Sequence, residues 1–474
     1  MPPSPDAYTS IRRAVLEAIE ESRLDPHNGG SAAVRELVVR AVDGYQRTAH
    51  AGGGIALADP ASMVERVTEA VCDFGPLSGL FARSDVEEIF IEGDRVLYLD
   101  RAGRLRGLSA PTTEAENRQV IDQLLSQTQR HLDAKSPLVQ SRVLDGAARL
   151  SAAIPPVADR LSATLRKYTL RKETLPYLVE RDSLTPAAAG FLWALMQSRS
   201  STIVSGPPGA GKTSLLAALL AATPAHHCIR CAEEIRELSA PITHGSYYEA
   251  RPPALDGTGE ISLRDLVKFL LSMRPDLIVV GEVRGSEAFE LTRAVNAGCG
   301  FCCTVHANSA REALTALVNA AIMAGENVGE GIVRKVFASA IDFVVHLDRD
   351  DVNAVAPDEE VRRQIMEILA VVPAMTDDFS TEPIFVREAL GLPLRWTGAV
   401  PPGAELIERA LPEGASLPAI LDGRQIPLAL GLGDALASVA RGGAQASVAR
   451  GGAQASVAQG ANGEGRVPGR GAYP

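Results

Sequence analysis

Gly206-Pro207-Pro208-Gly209-Ala210-Gly211-Lys212-Thr213 fits the spacing G-x-x-x-x-G-K-[ST] and lies between a short strand-like run, Ser201–Ser205, and a helix-like run, Ser214–Leu220. Strand, loop and helix in that order make the loop a phosphate-binding one. Its backbone N–H groups and the positive end of the following helix converge on a single anion site. Gly206, Gly209 and Gly211 allow the close approach and left-handed conformations that a side chain would forbid. Pro207, Pro208, Ala210 and Ser214 complete the candidate nucleotide-binding set. Lys212 then reaches the β- and γ-phosphates of a nucleotide, and the Thr213 hydroxyl ligates Mg²⁺. A Gly/Pro turn that happens to precede a lysine is the plainer alternative.

Around the loop the texture divides the 474 residues into four stretches, against a prior of about three domains at ~150 residues each. Residues 1–74 carry helical spacing at 8–24, 31–49 and 60–73, broken by Pro26–Gly30 and Ala51–Gly54, and are expected to form a small helical unit. Residues 75–185 are expected to be α+β, with strands near 86–91, 95–99, 101–105, 148–153 and 162–168 and a helix over 113–132. Residues 186–400 alternate strand-like runs (201–205, 227–232, 277–281, 301–306, 342–347) with helices (187–198, 212–222, 262–272, 286–296, 309–324, 329–339), and edge strands are expected at 362–372 and 383–387. That alternation predicts an α/β core with a mainly parallel sheet and helices on both faces. Residues 401–474 are Pro-, Gly- and Ala-rich, with Ala437–Gln445 repeated at 446–454, and are expected to be a disordered tail.

No apolar run approaches the ~20 residues of a membrane span and Met1–Thr9 lacks a signal peptide's features, so a cytoplasmic chain is expected. Six cysteines fit reduced thiols, although Cys228-x-x-Cys231 with Cys299, Cys302 and Cys303 allows a zinc site. A formal net charge of −11 argues against nucleic acid as the main partner. Arg12, Arg13 and the run Arg166–Lys172 read as protein or phosphate contacts.

Three segments downstream of the loop supply what hydrolysis needs beyond binding. Leu277–Val280 is an apolar strand ending in Gly281-Glu282, where Glu282 polarises the attacking water, holds Mg²⁺ through a water, or simply caps the strand. Cys303–Asn308 ends another buried strand at His306, a γ-phosphate sensor or a structural histidine. Glu233-Glu234-Ile235-Arg236-Glu237 follows the strand 227–232, either as part of the site or as a solvated helix start.

Taken together, Gly206–Thr213, Ala232–Leu238, Met273–Gly285 and Thr304–Asn308 resemble the secretion ATPases of the type II/type IV superfamily, which carry a Walker A loop, an Asp box, a Walker B segment ending in Gly-Glu and a His box in that order. Gly75–Phe81, Asp145–Leu150, Ile154–Pro156 and Thr164–Tyr168 extend the similarity over roughly 70–390, and Arg274–Gly285 with Thr304–Ser309 is most similar to the Tad/Flp pilus assembly branch. The chain departs from the pattern at Glu234, where an aspartate is common, and in the cysteine-rich stretch 299–303.

The resemblance implies a RecA-like P-loop NTPase core preceded by an α+β N-terminal domain. It also implies a homo-hexameric ring that hydrolyses ATP with Mg²⁺ at the cytoplasmic face of the membrane and acts on inner-membrane platform proteins. Carried over by position, Lys212 and Thr213 bind phosphate and Mg²⁺, Glu282 and Glu233 handle water and metal, His306 senses the γ-phosphate, and Arg149 and Arg166 contact nucleotide from the N-terminal domain. Motors for type II or type IV secretion or conjugation, and more remotely a nucleic-acid translocase, are the alternatives.

Overall fold

A computed structural model describes residues 5–22, 24, 31–53, 55–100, 104–109, 111–128, 130–168, 173–253, 257–296, 298–325, 329–350, 361–372 and 378–426. The first three helices, α1 (Pro5–Ser22), α2 (Ser31–Thr48) and α3 (Pro60–Cys72), bury Val15, Val38, Met63 and Val67 against one another. Helix α3 starts where it does because the Asp59 side chain accepts from the Ser62 amide and Pro60 needs no amide partner in the first turn. The bundle is tied to the neighbouring α+β unit by Arg66, whose Nη2 donates to Glu116 Oε1 at 2.8 Å.

The second unit runs α4 (Ser78–Ala82), β1 (Val86–Glu92), β2 (Arg95–Asp100), β3 (Leu105–Gly107), α5 (Glu114–Ser126), β4 (Leu138–Val143), β5 (Ala148–Ala153) and β6 (Ser162–Lys167). Its six strands form one antiparallel sheet in the order β3-β2-β1-β6-β5-β4, with α5 packed on a core that includes Ile89, Ile121 and Leu165. The strand expected over 101–105 begins only at Leu105, and residues 101–103 are outside the described set. The helix expected over 113–132 stops at Ser126, because the amide and the hydroxyl of Thr128 both donate back to Leu125 O.

The core continues with α6 (Leu175–Glu180), α7 (Pro186–Gln197), β7 (Thr202–Gly206), α8 (Lys212–Ala221), β8 (Ile229–Glu233), β9 (Gly245–Glu249), α9 (Leu263–Leu271), β10 (Leu277–Val280), α10 (Glu287–Asn296), β11 (Gly300–His306), α11 (Ala310–Ile322), α12 (Glu330–Ala340), β12 (Phe343–Arg349), β13 (Arg363–Val372), β14 (Ser380–Val386), β15 (Arg395–Trp396), α13 (Ala404–Ala410) and α14 (Leu417–Leu421). Nine strands order as β15-β14-β13-β12-β7-β11-β10-β8-β9. The run from β12 to β9 is parallel, and β13, β14 and β15 add antiparallel at one edge. One face packs under α7 and α8, the other under α9, α10, α11 and α12, which is why β7 and β10 are apolar on both sides. This is the RecA-like α/β arrangement, with the phosphate loop at the carboxyl end of a central strand.

Two sequence boundaries are corrected. Leu175, Leu178 and Leu184 belong to the core beneath α7, so the segment just before 185 packs with the nine-stranded unit rather than the α+β unit. Residues 401–426 are not a structureless tail, because Ile407, Leu417, Ile420 and Leu421 are buried in the same core as Phe191 and Leu192 of α7. The nine-residue repeat lies outside the described residues.

Candidate functional site

Strand β7 runs between β11 and β12, with His306 in register opposite Gly206. Gly209 and Gly211 take positive φ values of 76° and 95°, and Gly211 is the N-cap of α8. Gly206 has a different reason to be glycine, since a Cβ there would stand 2.5 Å from Leu347 O on β12. The loop thus turns tightly into α8 with Lys212 buried and Thr213 and Ser214 half-buried in its first turn, Ser214 Oγ lying 3.5 Å from Glu173 Oε1.

Lys212 Nζ donates to Gly206 O at 2.9 Å and Pro207 O at 3.1 Å, and it lies 3.1 Å from His306 Nδ1. The other imidazole nitrogen, Nε2, lies 2.6 Å from Glu282 Oε1, and Glu282 Oε2 accepts from Arg284 Nη2 at 2.7 Å. A bare Nδ1 suits the ammonium and places the ring proton on Nε2, close to Glu282 Oε1, a buried oxygen that accepts no hydrogen bond of good geometry. Burial pulls Lys212 down to about 8, partly opposed by Glu282. Burial, and then the Lys212 charge, lowers His306 below the usual histidine range, which favours the neutral ring.

Lys212, His306 and Glu282 are therefore brought together from the start of α8, the end of β11 and the turn after β10. Glu233 is not part of that contact. It is buried at the end of β8, where its carboxylate accepts from the amides of Glu237 and Leu238 at 3.0 and 3.1 Å. Burial outweighs those two amides and pushes its carboxyl up to about 7. Gly281 makes room for it, because a Cβ at 281 would stand 2.6 Å from Glu233 Cγ.

Arg149 and Arg166 face each other across β5 and β6 and point at the core through Glu237 Oε1, at 3.6 and 3.9 Å. Arg166 also lies 3.7 Å from Glu88, and Arg142 lies 3.3 Å from Glu249. Glu237, read in sequence only as part of an acidic run, is thus the carboxylate that receives both arginines. Sequence reasoning also missed Arg349 and Arg363, which lie against the loop at Gly209. Arginines at strand ends carry no motif that would have marked them. On the same side of the loop a cavity of about 330 Å³ is lined by Tyr177, Leu178, Leu347 and Ile365, with Gly211 and Ser214 of the loop and α8.

Among the described residues no cluster of three or more His, Cys, Asp or Glu side chains could hold a metal ion. A Mg²⁺ ion needs only one or two protein oxygens besides water and ligand oxygens, and the half-buried Thr213 hydroxyl in the first turn of α8 is compatible with that role. The cysteines are buried at 228, 231, 299, 302 and 303, and burial raises the Cys299 and Cys302 thiols to about 12. They behave as small apolar side chains, Cys231, Cys302 and Cys303 within the sheet and Cys228 and Cys299 just before its strands.

The family model described as Type II/IV secretion system protein matches residues 75–370. A Mycobacterium tuberculosis chain named for conjugal transfer is 31% identical over 319 residues, covering 64% of this chain and 90% of that one. The type IV secretion system protein PtlH of Bordetella pertussis is 29% identical over 296 residues, 56% of this chain and 87% of that protein. The crystal structure of the VirB11 ATPase from the Brucella suis type IV secretion system is 19% identical, with a TM-score of 0.33 over 62% of this chain and 92% of that chain.

Proposed function

This chain belongs to the Type II/IV secretion system protein family, and from that premise we propose that it is a Mg²⁺-dependent ATP hydrolase that powers a secretion or pilus-assembly machine. One observation carries the reading: the Lys212–His306–Glu282 contact at the carboxyl ends of adjacent parallel strands, beside a complete phosphate loop. The triphosphate lies on the loop amides at the start of α8, and the base extends toward the cavity beside Tyr177 and Leu347. Its γ end points toward β10 and β11. There Lys212 leaves the loop carbonyls for phosphate oxygens, His306 reads the γ-phosphate, and Glu282 orients the attacking water and takes its proton. Mg²⁺, held by the Thr213 hydroxyl and phosphate oxygens, would supply charge neutralisation of the leaving phosphates. Arg149 and Arg166 add charge from the α+β unit as it closes, exchanging Glu237 for phosphate. Glu233 supports the Walker B turn from beneath Gly281 and acts on the site through it.

The working unit is a homo-hexameric ring at the cytoplasmic face of the membrane, peripheral to integral platform proteins. In keeping with a peripheral role, no helix among the described residues is long and apolar enough to cross a membrane. The finer assignment, to assembly of a Tad/Flp-type pilus, is supported by the run Arg274–Gly285 together with Thr304–Ser309. A second reading, conjugal transfer or type IV secretion, is favoured by the names of the relatives. Neither requires this acidic chain to touch nucleic acid itself.

Deleting the gene in its native cell distinguishes them. Loss of surface filaments with DNA transfer and protein secretion intact supports the pilus assignment, and the converse supports the second. Filaments, transfer and secretion all unaltered, or no Mg²⁺-dependent phosphate release from ATP by the purified chain, would overturn the proposal.

A further inference from the structure

Arg363, the first residue of β13, holds two parts of the molecule at once. Its Nε donates to Gly209 O at the tip of the phosphate loop at 3.0 Å, and its Nη2 lies 3.6 Å from Glu87 Oε2 on β1 of the α+β unit. Arg349, at the end of β12, crowds the same glycine, since a Cβ built on Gly209 would meet Arg349 Nη1 at 3.0 Å. Two guanidiniums from neighbouring strands therefore lie against the loop, and one of them reaches the other unit.

The carboxylate that Arg363 meets is placed by a local irregularity. The β1–β2 pairing slips between Val86 and Glu88, which leaves Glu87 as the extra residue of a bulge. Bulges re-aim a side chain out of the regular alternation, here toward the core. The next residue, Glu88, is in register with Arg166 on β6. Strand β1 thus carries both the acceptor for Arg363 and the neighbour of one arginine expected to reach the nucleotide.

We propose that Arg363 is a positioning residue that couples occupancy of the phosphate loop to the placement of the α+β unit. A bound polyphosphate draws its guanidinium inward, Glu87 is released, and β1 with Arg166 is free to shift. This deepens the ATP reading and rests on it. The exchange is favourable because the ion pair is loose and part-exposed, with side-chain exposures of 31% for Arg363 and 23% for Glu87. Such pairs contribute little, whereas a guanidinium on a multiply charged phosphate chain makes short, charge-assisted and often bidentate bonds. The bond to Gly209 O keeps the side chain tethered at the loop, so only a small rotation is needed.

The test is a double-mutant cycle on the affinity of the full-length chain for a fluorescent ATP analogue with Mg²⁺. Arg363→Ala is expected to weaken binding about tenfold, within the usual span of coupling factors. Glu87→Gln, which removes the competing charge, is expected to tighten binding several-fold in the native background and to have no effect in the Arg363→Ala background. Arg363→Lys serves if the alanine variant does not fold by thermal melting, and the same loss of coupling is expected because a lysine cannot bridge both partners. Glu87→Gln without effect, or with the same effect in both backgrounds, overturns the proposal while leaving ATP binding intact. Failure of the unaltered chain to bind the analogue brings down the ATP reading itself, and this coupling with it.

Discussion

His306 Nε2 stands 2.6 Å from Glu282 Oε1, joining the end of β11 to the turn that follows the adjacent parallel strand β10, on the side of the sheet where the glycine-rich loop opens. The same ring receives Lys212 on its other nitrogen. The contact makes a lysine, an imidazole and a carboxylate one connected set, so a phosphate that recruits the lysine alters what the carboxylate faces. Arg284 on the second carboxylate oxygen holds the Glu282 side chain in place.

Lys212→Ala is expected to abolish turnover, by at least about 10²–10³-fold. Thermal melting should fall modestly beside the loss of turnover, since the acceptors it leaves are one buried carbonyl, Gly206 O, and one part-buried one, Pro207 O. Phosphate release and melting on the same preparation check both parts.

Glu233 makes a pH prediction whose sign follows from burial. Its carboxyl titrates at about 7 in the fold, against about 4.3 in an unfolded chain. Between those values the folded state holds the proton and the unfolded state does not, so this group's contribution to stability is full below the lower value and is lost as pH rises toward 7. Glu233→Gln keeps an Oε1 acceptor for the amides of Glu237 and Leu238. Its melting temperature should gain on the native chain as pH rises from 4.5 to 7, by on the order of 1 kcal/mol per pH unit at most. Parallel pH profiles would contradict the burial of this carboxyl.

Gly206→Ala places a methyl 2.5 Å from Leu347 O, a backbone atom that cannot swing aside as a side-chain end can. Strands β7 and β12 must part there, at a cost of about 1–3 kcal/mol. Lower denaturation midpoints together with lost nucleotide binding are expected, read by urea titration and analogue fluorescence.

Ile420→Ala removes a fully buried side chain from the contact between α14 and the core around α7. The expected loss is about 2–4 kcal/mol. Unchanged stability would mean that residues 401–426 do not pack on the core in solution.

Most of the α/β alternation was legible because each central strand is a short apolar run, such as Leu277–Val280, followed by a helix with regular spacing. What escaped notice had weak patterning for physical reasons. Strand β4, Leu138–Val143, is half exposed and polar, and β9, Gly245–Glu249, is a partly buried sheet edge. Helices α13 and α14 are short and set among prolines and glycines, so composition masked a few apolar contacts that are decisive only in three dimensions. In the site, strand ends located Glu282 and His306 because the carboxyl end of a parallel strand faces the ligand edge. The inward turn of Glu233, the acceptor role of Glu237 and the reach of Arg363 depend on how loops fold across neighbouring elements. Spacing along one segment does not encode that.

The central claim is that Glu282 prepares the water that attacks a loop-bound triphosphate. Single-turnover mixing of the native chain and Glu282→Gln with ATP and Mg²⁺, following bound nucleotide and released phosphate together, tests it most directly. The account predicts that the variant binds ATP as tightly as the native chain and retains it, with phosphate release slowed about 10²–10⁴-fold. Phosphate release at the native rate from Glu282→Gln would contradict it.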